Sequence, residues 1–293
     1  MKTSSHKLIA HDGKYIVLPP GMAGQEIQNL TIPTNILSPD ASQKYPLGTK
    51  FVCGDRVYRY ALANGTCTPY WGAYKAKKTN TVAVAPTQAT AAAQALAYPS
   101  ETLAAGAVGS YYVTVTIDTE IGVLTTGVLT ANELAGGYVV IGNGSNQAPQ
   151  MGYIVSHPAL ATAGGSLTIK IDMPLATIVT AGTTTIELME CPFYNLKADG
   201  SGGDYVTFIG IPASTVASGG YFWLQTWGVC WITSNNATCD SARDRTIVFV
   251  GNGSVESSND ETLESGFQIA GVALDMSGDA ASNAPMVYLQ IMP

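Results

Sequence analysis

The chain has 293 residues, of which 46% are hydrophobic and only 12% are charged. This apolar content is enough for a folded core and excludes a chain that is disordered throughout. The formal net charge is −7 and no cationic run exceeds the pair Lys77-Lys78, which excludes direct nucleic-acid binding because phosphate neutralisation requires clustered cations.

The small share of charged residues also bears on how the surface is used. Charged residues usually make up about 25% of a soluble protein, and charge is what keeps free monomers apart. A charge-poor surface is therefore typical of a protein that is covered by neighbours in an assembly. Residues 1–10 lack the apolar centre of a signal peptide, and no run reaches the roughly 18 apolar residues of a membrane span. We expect a protein made in a cytoplasm, without a membrane partner.

Residues 1–46 show little periodicity and are interrupted by prolines, among them the pair Pro19-Pro20. This pattern predicts an extended N-terminal arm, and an arm of that length needs a surface to lie on. We expect it to reach across a neighbouring subunit. Its larger apolar side chains are the predicted interface residues: Tyr15, Ile16, Leu18, Ile32, Ile36, Leu37 and Tyr45.

Residues 47–107 form a second segment. Gly54-Asp55 is typical of the turn in a hairpin that spans residues 47–61, and Asn64-Gly65 predicts the next turn. Residues 81–107 are rich in Ala, Thr and Gln, which predicts a linker. Residues 87–97 are the one helical candidate in the chain.

Residues 108–204 and 205–293 predict a β domain and a C-terminal β module. Predicted strands are residues 109–117, 134–141, 151–155, 166–171, 184–189, 221–227, 246–250, 267–274 and 286–291. Short strands at regular intervals with turns between them favour an antiparallel sheet over βαβ units. The predicted fold is all-β, with antiparallel β-sandwich or barrel modules, an extended N-terminal arm and at most one short helix.

The five cysteines form no C-x-x-C pair, and the three histidines lie far from them in sequence. This spacing argues against a zinc site. Cys53 and Cys67 flank a predicted hairpin, as do Cys230 and Cys239, so disulfides are geometrically conceivable. The odd count and cytoplasmic synthesis favour free thiols.

Two acidic stretches are candidates for a reactive site. Asp118 and Glu120 would share one face of a strand, as a glycosidase carboxylate pair must, but no second acidic cluster accompanies them. The glycine-rich residues 199–204 lack the ligand spacing of a calcium loop. We therefore predict no catalytic residue, no metal and no cofactor.

The aromatic stretch at residues 219–228 is the most distinctive part of the chain. Alternation places Tyr221, Trp223 and Trp227 on the same side of a strand. Tyr221, Trp223 and Trp231 would form a sugar-binding surface if they were exposed. A buried aromatic row is the alternative, and the pattern favours it.

Four sequence patterns occur in one order along the chain: residues 45–49 with 55–61, residues 132–141 with 153–154, residues 221–228, and residues 269–274 with 287–291. The first is similar to a "PLGT…GRVYRYA" opening and the third to "GYxWxQTxG". Together they resemble virion structural proteins of tailed bacteriophages, of the capsid cement or decoration type. The arm before residue 45 is not covered by this resemblance.

The resemblance implies a non-enzymatic protein on the exterior of a capsid. It would bind the major capsid protein and copies of itself, with a homotrimer as the expected unit, and would stabilise the shell. The alternative is a head-fibre or tail adhesin module that binds carbohydrate. A third hypothesis is a tail enzyme that cleaves glycans with Asp118 and Glu120.

Overall fold

The computed structural model describes residues 8–20, 30–76, 97–116, 128–143, 147–162, 165–180, 184–198, 205–234, 245–258, 268–275 and 285–293. These residues contain strands and turns and no helix, so the all-β prediction is confirmed. Of the helical candidate at residues 87–97, residues 87–96 lie outside the described residues and Ala97 is the first residue of a strand.

The strands are β1 (Leu8–His11), β2 (Lys14–Val17), β3 (Lys50–Cys53), β4 (Arg56–Cys67), β5 (Ala73–Ala76), β6 (Ala97–Gly106), β7 (Tyr112–Thr116), β8 (Tyr138–Asn143), β9 (Gln147–Ser156), β10 (Ser166–Ile171), β11 (Val179–Thr180), β12 (Thr184–Met189), β13 (Leu196–Ala198), β14 (Tyr205–Pro212), β15 (Tyr221–Trp231), β16 (Thr246–Phe249), β17 (Val255–Ser257), β18 (Ile269–Ala273) and β19 (Met286–Gln290). They belong to two compact units. The central unit holds β6 to β12, and the terminal unit holds β1 to β5 and β13 to β19.

The sheet of the central unit closes into a barrel. Strands β6, β12, β8, β9, β10 and β7 lie side by side, and β7 pairs again with β6. The pattern of β10 explains why this sequence forms such a wall: Leu167, Ile169 and Ile171 are buried, while Ser166 and Thr168 are exposed. Buried aliphatic side chains fill the core of this unit, as expected for a barrel with so few strands.

Two sequence predictions in the central unit are wrong, one in the start of a strand and one in the kind of element. Residues 134–137 form turns, and the strand starts only at Tyr138. The reason is local, because Gly136 has a φ of +87° and a Cβ on Gly137 would collide with the Met189 carbonyl oxygen. Residues 97–106 were assigned to a linker but form β6, which pairs with β12, β11 and β7. Pairing with strands distant in sequence cannot be predicted from the local composition of residues 97–106.

Strand β4 organises the terminal unit. It pairs with β3 and with β15 through its first half, and with β13 in parallel through its second half. Strands β13, β5 and β14 continue the sheet until it reaches β15, so the sheet curls back on itself. Beyond β15 it extends through β19, β18, β16 and β17. The predicted hairpin segment and the C-terminal module therefore share one sheet.

The predicted β3–β4 hairpin is present, with Gly54 in its turn at a φ of +64°. The turn predicted at Asn64-Gly65 is wrong, because both residues lie inside the twelve-residue strand β4. Pairing of this end of β4 with β13, far away in sequence, keeps the chain extended there.

The described part of the predicted arm lies on its own unit. Strands β1 and β2 form a hairpin with positive φ at Asp12 and Gly13, and β2 pairs with β3. Further along, the backbone of Asp40 exchanges two hydrogen bonds of 2.8 Å with Tyr221. Residues 8–18 and 30–46 thus belong to the terminal unit. That the arm also reaches across a neighbouring subunit stays a prediction.

Candidate interaction surface

Strand β15 carries most of the aromatic residues singled out in the sequence. Trp223 is 2% exposed, and its ring centroid lies 5.1 Å from those of Tyr45 and Tyr60 and 5.6 Å from that of Phe51. These four rings form part of one core cluster. Trp223 is therefore a core residue and cannot present its ring to a ligand.

Tyr221 is partly buried and stacks on Tyr60, with 5.9 Å between ring centroids and 11° between ring planes. The Tyr60 hydroxyl donates a hydrogen bond to Asp40 Oδ2 at 2.9 Å and accepts one from the Lys44 N–H at 3.2 Å. Burial is the main cause that raises the pKa of Tyr60. Tyr221 covers a buried, neutral phenol, so its contacts on this side are structural.

A β-bulge separates Trp227 from the aromatic core. The register of β15 against β4 shifts between Gln225 and Trp227. The buried Gln225 amide donates to the carbonyl oxygens of Trp227 at 3.1 Å and Val229 at 2.9 Å. Trp227 instead donates its indole N–H to the Tyr288 hydroxyl at 3.1 Å. Simple alternation, which placed Trp223 and Trp227 together, fails because the extra residue resets the side-chain pattern.

After the bulge, β15, β19 and β18 present apolar side chains in cross-strand rows. Trp231 lies opposite Met286, whose carbonyl accepts the Leu274 N–H at 2.8 Å. In the adjacent row, Tyr288 lies between Val229 and Val272. Directly opposed residues on one face of a sheet have their Cβ atoms about 5 Å apart. We call this surface the outer face; its residues are Val229, Trp231, Val272, Leu274, Met286 and Tyr288.

The outer face is apolar and open. Trp231, Leu274, Val272 and Met286 are between 37% and 55% exposed. None of its six residues is charged. The alternate residues on the same strands, Val287 and Leu289, are fully buried in the core of the unit. These three strands are thus apolar on both sides, whereas a sheet with one free face normally alternates apolar and polar residues.

Tyr70 extends the outer face beside Trp231. Their ring centroids are 6.4 Å apart with 62° between the planes, and Tyr70 is 51% exposed. Tyr70 has a φ of +72°, which is rare for a bulky residue, and its carbonyl accepts the Thr233 N–H at 2.7 Å. Strained backbone of this kind is concentrated at binding sites.

The predicted arm residues lie in three settings. Three are buried in the terminal unit: Ile16, Leu18 and Tyr45. Three are partly buried: Tyr15, Ile32 and Ile36. Leu37 is largely exposed.

The sequence contains a signal that identifies the outer face. Residues 286–289 are all apolar, so Met286 and Tyr288 occupy the positions where a half-exposed strand is expected to have polar residues. Tyr70 had no such signal, because its position depends on a tertiary contact with Trp231.

Two buried polar side chains elsewhere, His157 and Lys75, have structural hydrogen-bond partners. His157 Nε2 accepts the Leu134 N–H at 2.9 Å, and Nδ1 lies 2.8 Å from the Pro158 carbonyl oxygen. Nδ1 must therefore carry the proton, and burial lowers the pKa of this imidazole. Lys75 is also buried and donates from Nζ to the Tyr194 carbonyl at 2.6 Å.

The structure describes four of the cysteines, Cys53, Cys67, Cys191 and Cys230, and all are free thiols. Cys230 packs against the core although part of the residue reaches the surface, and burial raises the pKa of its thiol to about 12. Such a thiol is protonated and unreactive at neutral pH.

Within the described residues, no group of three or more His, Cys, Asp or Glu side chains is arranged to hold a metal ion. Asp118, Glu120, Cys239 and the loop at residues 199–204 lie outside the part of the chain that the structure describes. No helix in the described part is long and apolar enough to cross a membrane. Comparisons with protein-family models, curated proteins and solved structures give no match for this chain.

Proposed function

We propose that this chain is a non-enzymatic structural protein of a virus particle. In this role it is a capsid cement or decoration protein that binds the major capsid protein and copies of itself on the capsid exterior. The sequence patterns similar to tailed-phage decoration proteins support the choice of particle. The outer face supports an assembly role and is the observation that carries the proposal.

Exposure of the outer face to water is energetically unfavourable. Half-exposed Trp, Tyr, Leu and Met side chains in adjacent rows leave apolar surface in water, and each Å² that a partner covers contributes about 25 cal/mol before association costs. Contiguous apolar surface of this kind marks interaction sites. On a capsid the same contact is repeated over many sites. A modest affinity for each contact therefore gives a high overall avidity through multivalency.

The proposal is tested on intact virus particles. Antibodies raised against the purified chain are applied to particles from a culture that carries the gene, and gold label is located by electron microscopy. We expect label distributed over the capsid surface in many copies. Particles without label would refute the virion assignment, and label confined to a tail or fibre would favour the alternative.

The alternative, a carbohydrate-binding fibre or adhesin module, is supported by the exposed ring of Trp231 beside Tyr70. A sugar stacks on the open face of an aromatic ring. Two of the three predicted ligand-binding aromatics, Trp223 and Tyr221, are engaged in the core, which weakens this alternative. Glycan-array binding that disappears in Trp231→Ala would support it, and an array without signal would remove it.

A further inference from the structure

The outer face is wide enough for the centre of a protein interface. Trp and Tyr each bury roughly 150–250 Å² when fully covered, and Trp231 and Tyr70 are both about half exposed. Together with Met286, Leu274 and Val272 they provide several hundred Å² of apolar surface. An interface of standard size buries about 800 Å² per partner, with its apolar part at the centre. The face is therefore suited to a protein surface, and it is larger and less polar than a sugar subsite needs.

Charge restricts which protein surface fits. The chain carries a net charge of −7, so two copies repel each other, and salt screens this repulsion beyond about 10 Å. None of the six outer-face residues is charged, so two outer faces meet through uncharged side chains. One carboxylate of each copy lies beside the face, because Asp275 Oδ1 accepts the Met286 N–H at 2.8 Å. A strongly cationic partner, in contrast, would find no anionic side chain among these six residues to pair with.

Geometry favours a symmetric pair. Two sheets pack face to face about 10 Å apart when apolar side chains of both faces interdigitate. A two-fold interface uses the same patch on both subunits, whereas a closed trimer needs two different patches on each. One uncharged, apolar sheet face is self-complementary in this sense.

We infer that the outer face binds the outer face of a second copy of this chain, so that the protein forms a two-fold dimer. The inference specifies the self-contact within the proposed function. It replaces the homotrimer expected from the resemblance with a dimer as the basic unit. The β15–β19–β18 surfaces of the two subunits form the interface, and Trp231 lies in its apolar centre.

The test is sedimentation velocity of the full chain over a hundredfold range of concentration. The variant Met286→Lys places a charge in the interface, and Met173→Lys is its matched control, because Met173 is an exposed methionine of the central unit. A second interface variant, Leu274→Lys, lies just beyond the end of β18 and spares the strand. Far-UV circular dichroism checks that every variant is folded.

We expect a dimer for the wild type and for Met173→Lys. Met286→Lys and Leu274→Lys should each raise the dissociation constant about 30-fold or more, as central contacts do. A wild type that stays monomeric, a trimer, or a dimer unaffected by both interface variants would each overturn the inference. This result does not depend on particle labelling, so failure of the self-contact and failure of the virion assignment are distinguishable.

Discussion

Two tryptophans on one strand allow a sharp test of the described core. Trp223 is 2% exposed and Trp231 is 55% exposed, although both belong to β15. Replacing a buried aromatic residue by Ala costs about 3–5 kcal/mol, because the lost burial is joined by the cost of the cavity. At Trp223 three ring contacts are also lost, each worth about 0.5–1.5 kcal/mol beyond burial. We expect Trp223→Ala to lower the free energy of unfolding by about 4 kcal/mol or more.

The matched variant is Trp231→Ala. Surface substitutions usually change stability by no more than about 0.5 kcal/mol, so this variant should unfold almost as the wild type does. Guanidinium unfolding is followed by far-UV circular dichroism at a protein concentration where the chain is monomeric, which keeps any dimer contact out of the comparison. Equal losses for the two variants, or a larger loss for Trp231→Ala, would refute the assignment of Trp223 to the core and of Trp231 to the surface.

Three further predictions concern other parts of the fold. Burial lowers the pKa of His157 from its usual 6.5. As the pH drops, the unfolded chain therefore binds a proton at His157 before the folded chain does, and the free energy of unfolding should fall between about pH 7 and pH 5.5. The guanidinium midpoint of His157→Gln should depend less on pH over this range. Gly228→Ala should lower the free energy of unfolding by about 3 kcal/mol, because Gly228 has a φ of +87° and a Cβ there would contact the neighbouring backbone. The control Gly54→Ala has only the penalty for positive φ, about 1 kcal/mol. Similar thermal midpoints for the two variants would contradict this prediction. Tyr60→Phe removes the donor to the Asp40 carboxylate and should cost about 1.5–3 kcal/mol in urea unfolding, and an unchanged stability would show that this hydrogen bond is not made.

Strand positions could be predicted where burial follows a simple alternation. The predictions for residues 166–171 and 184–189 match β10 and β12, because each strand's own sequence signals its two faces. Strand β6 could not be predicted, because its extended form depends on β12 and β7. The same holds for the end of β4, where a turn-like Asn64-Gly65 is held in a strand by β13.

The candidate site was only partly predictable. Trp231 was named from the sequence as an aromatic that would bind if exposed, and it is exposed. Trp223 and Tyr221 were predicted with it, but the local sequence around an aromatic residue does not show whether its side chain is buried or exposed. The bulge after Gln225 separates the buried part of β15 from its exposed end, and no sequence pattern predicts this bulge.

By itself the sequence determined the all-β class and the low surface charge, because side-chain alternation, turn residues and composition are properties of the chain. Only the tertiary structure decided that β4 and β15 share one sheet, that the described part of the arm lies on its own unit, and that Trp231, Met286 and Leu274 form one surface. The physical reason is that strand pairing joins residues distant in sequence. Which side chains become neighbours, and which face stays open, depends on those pairings.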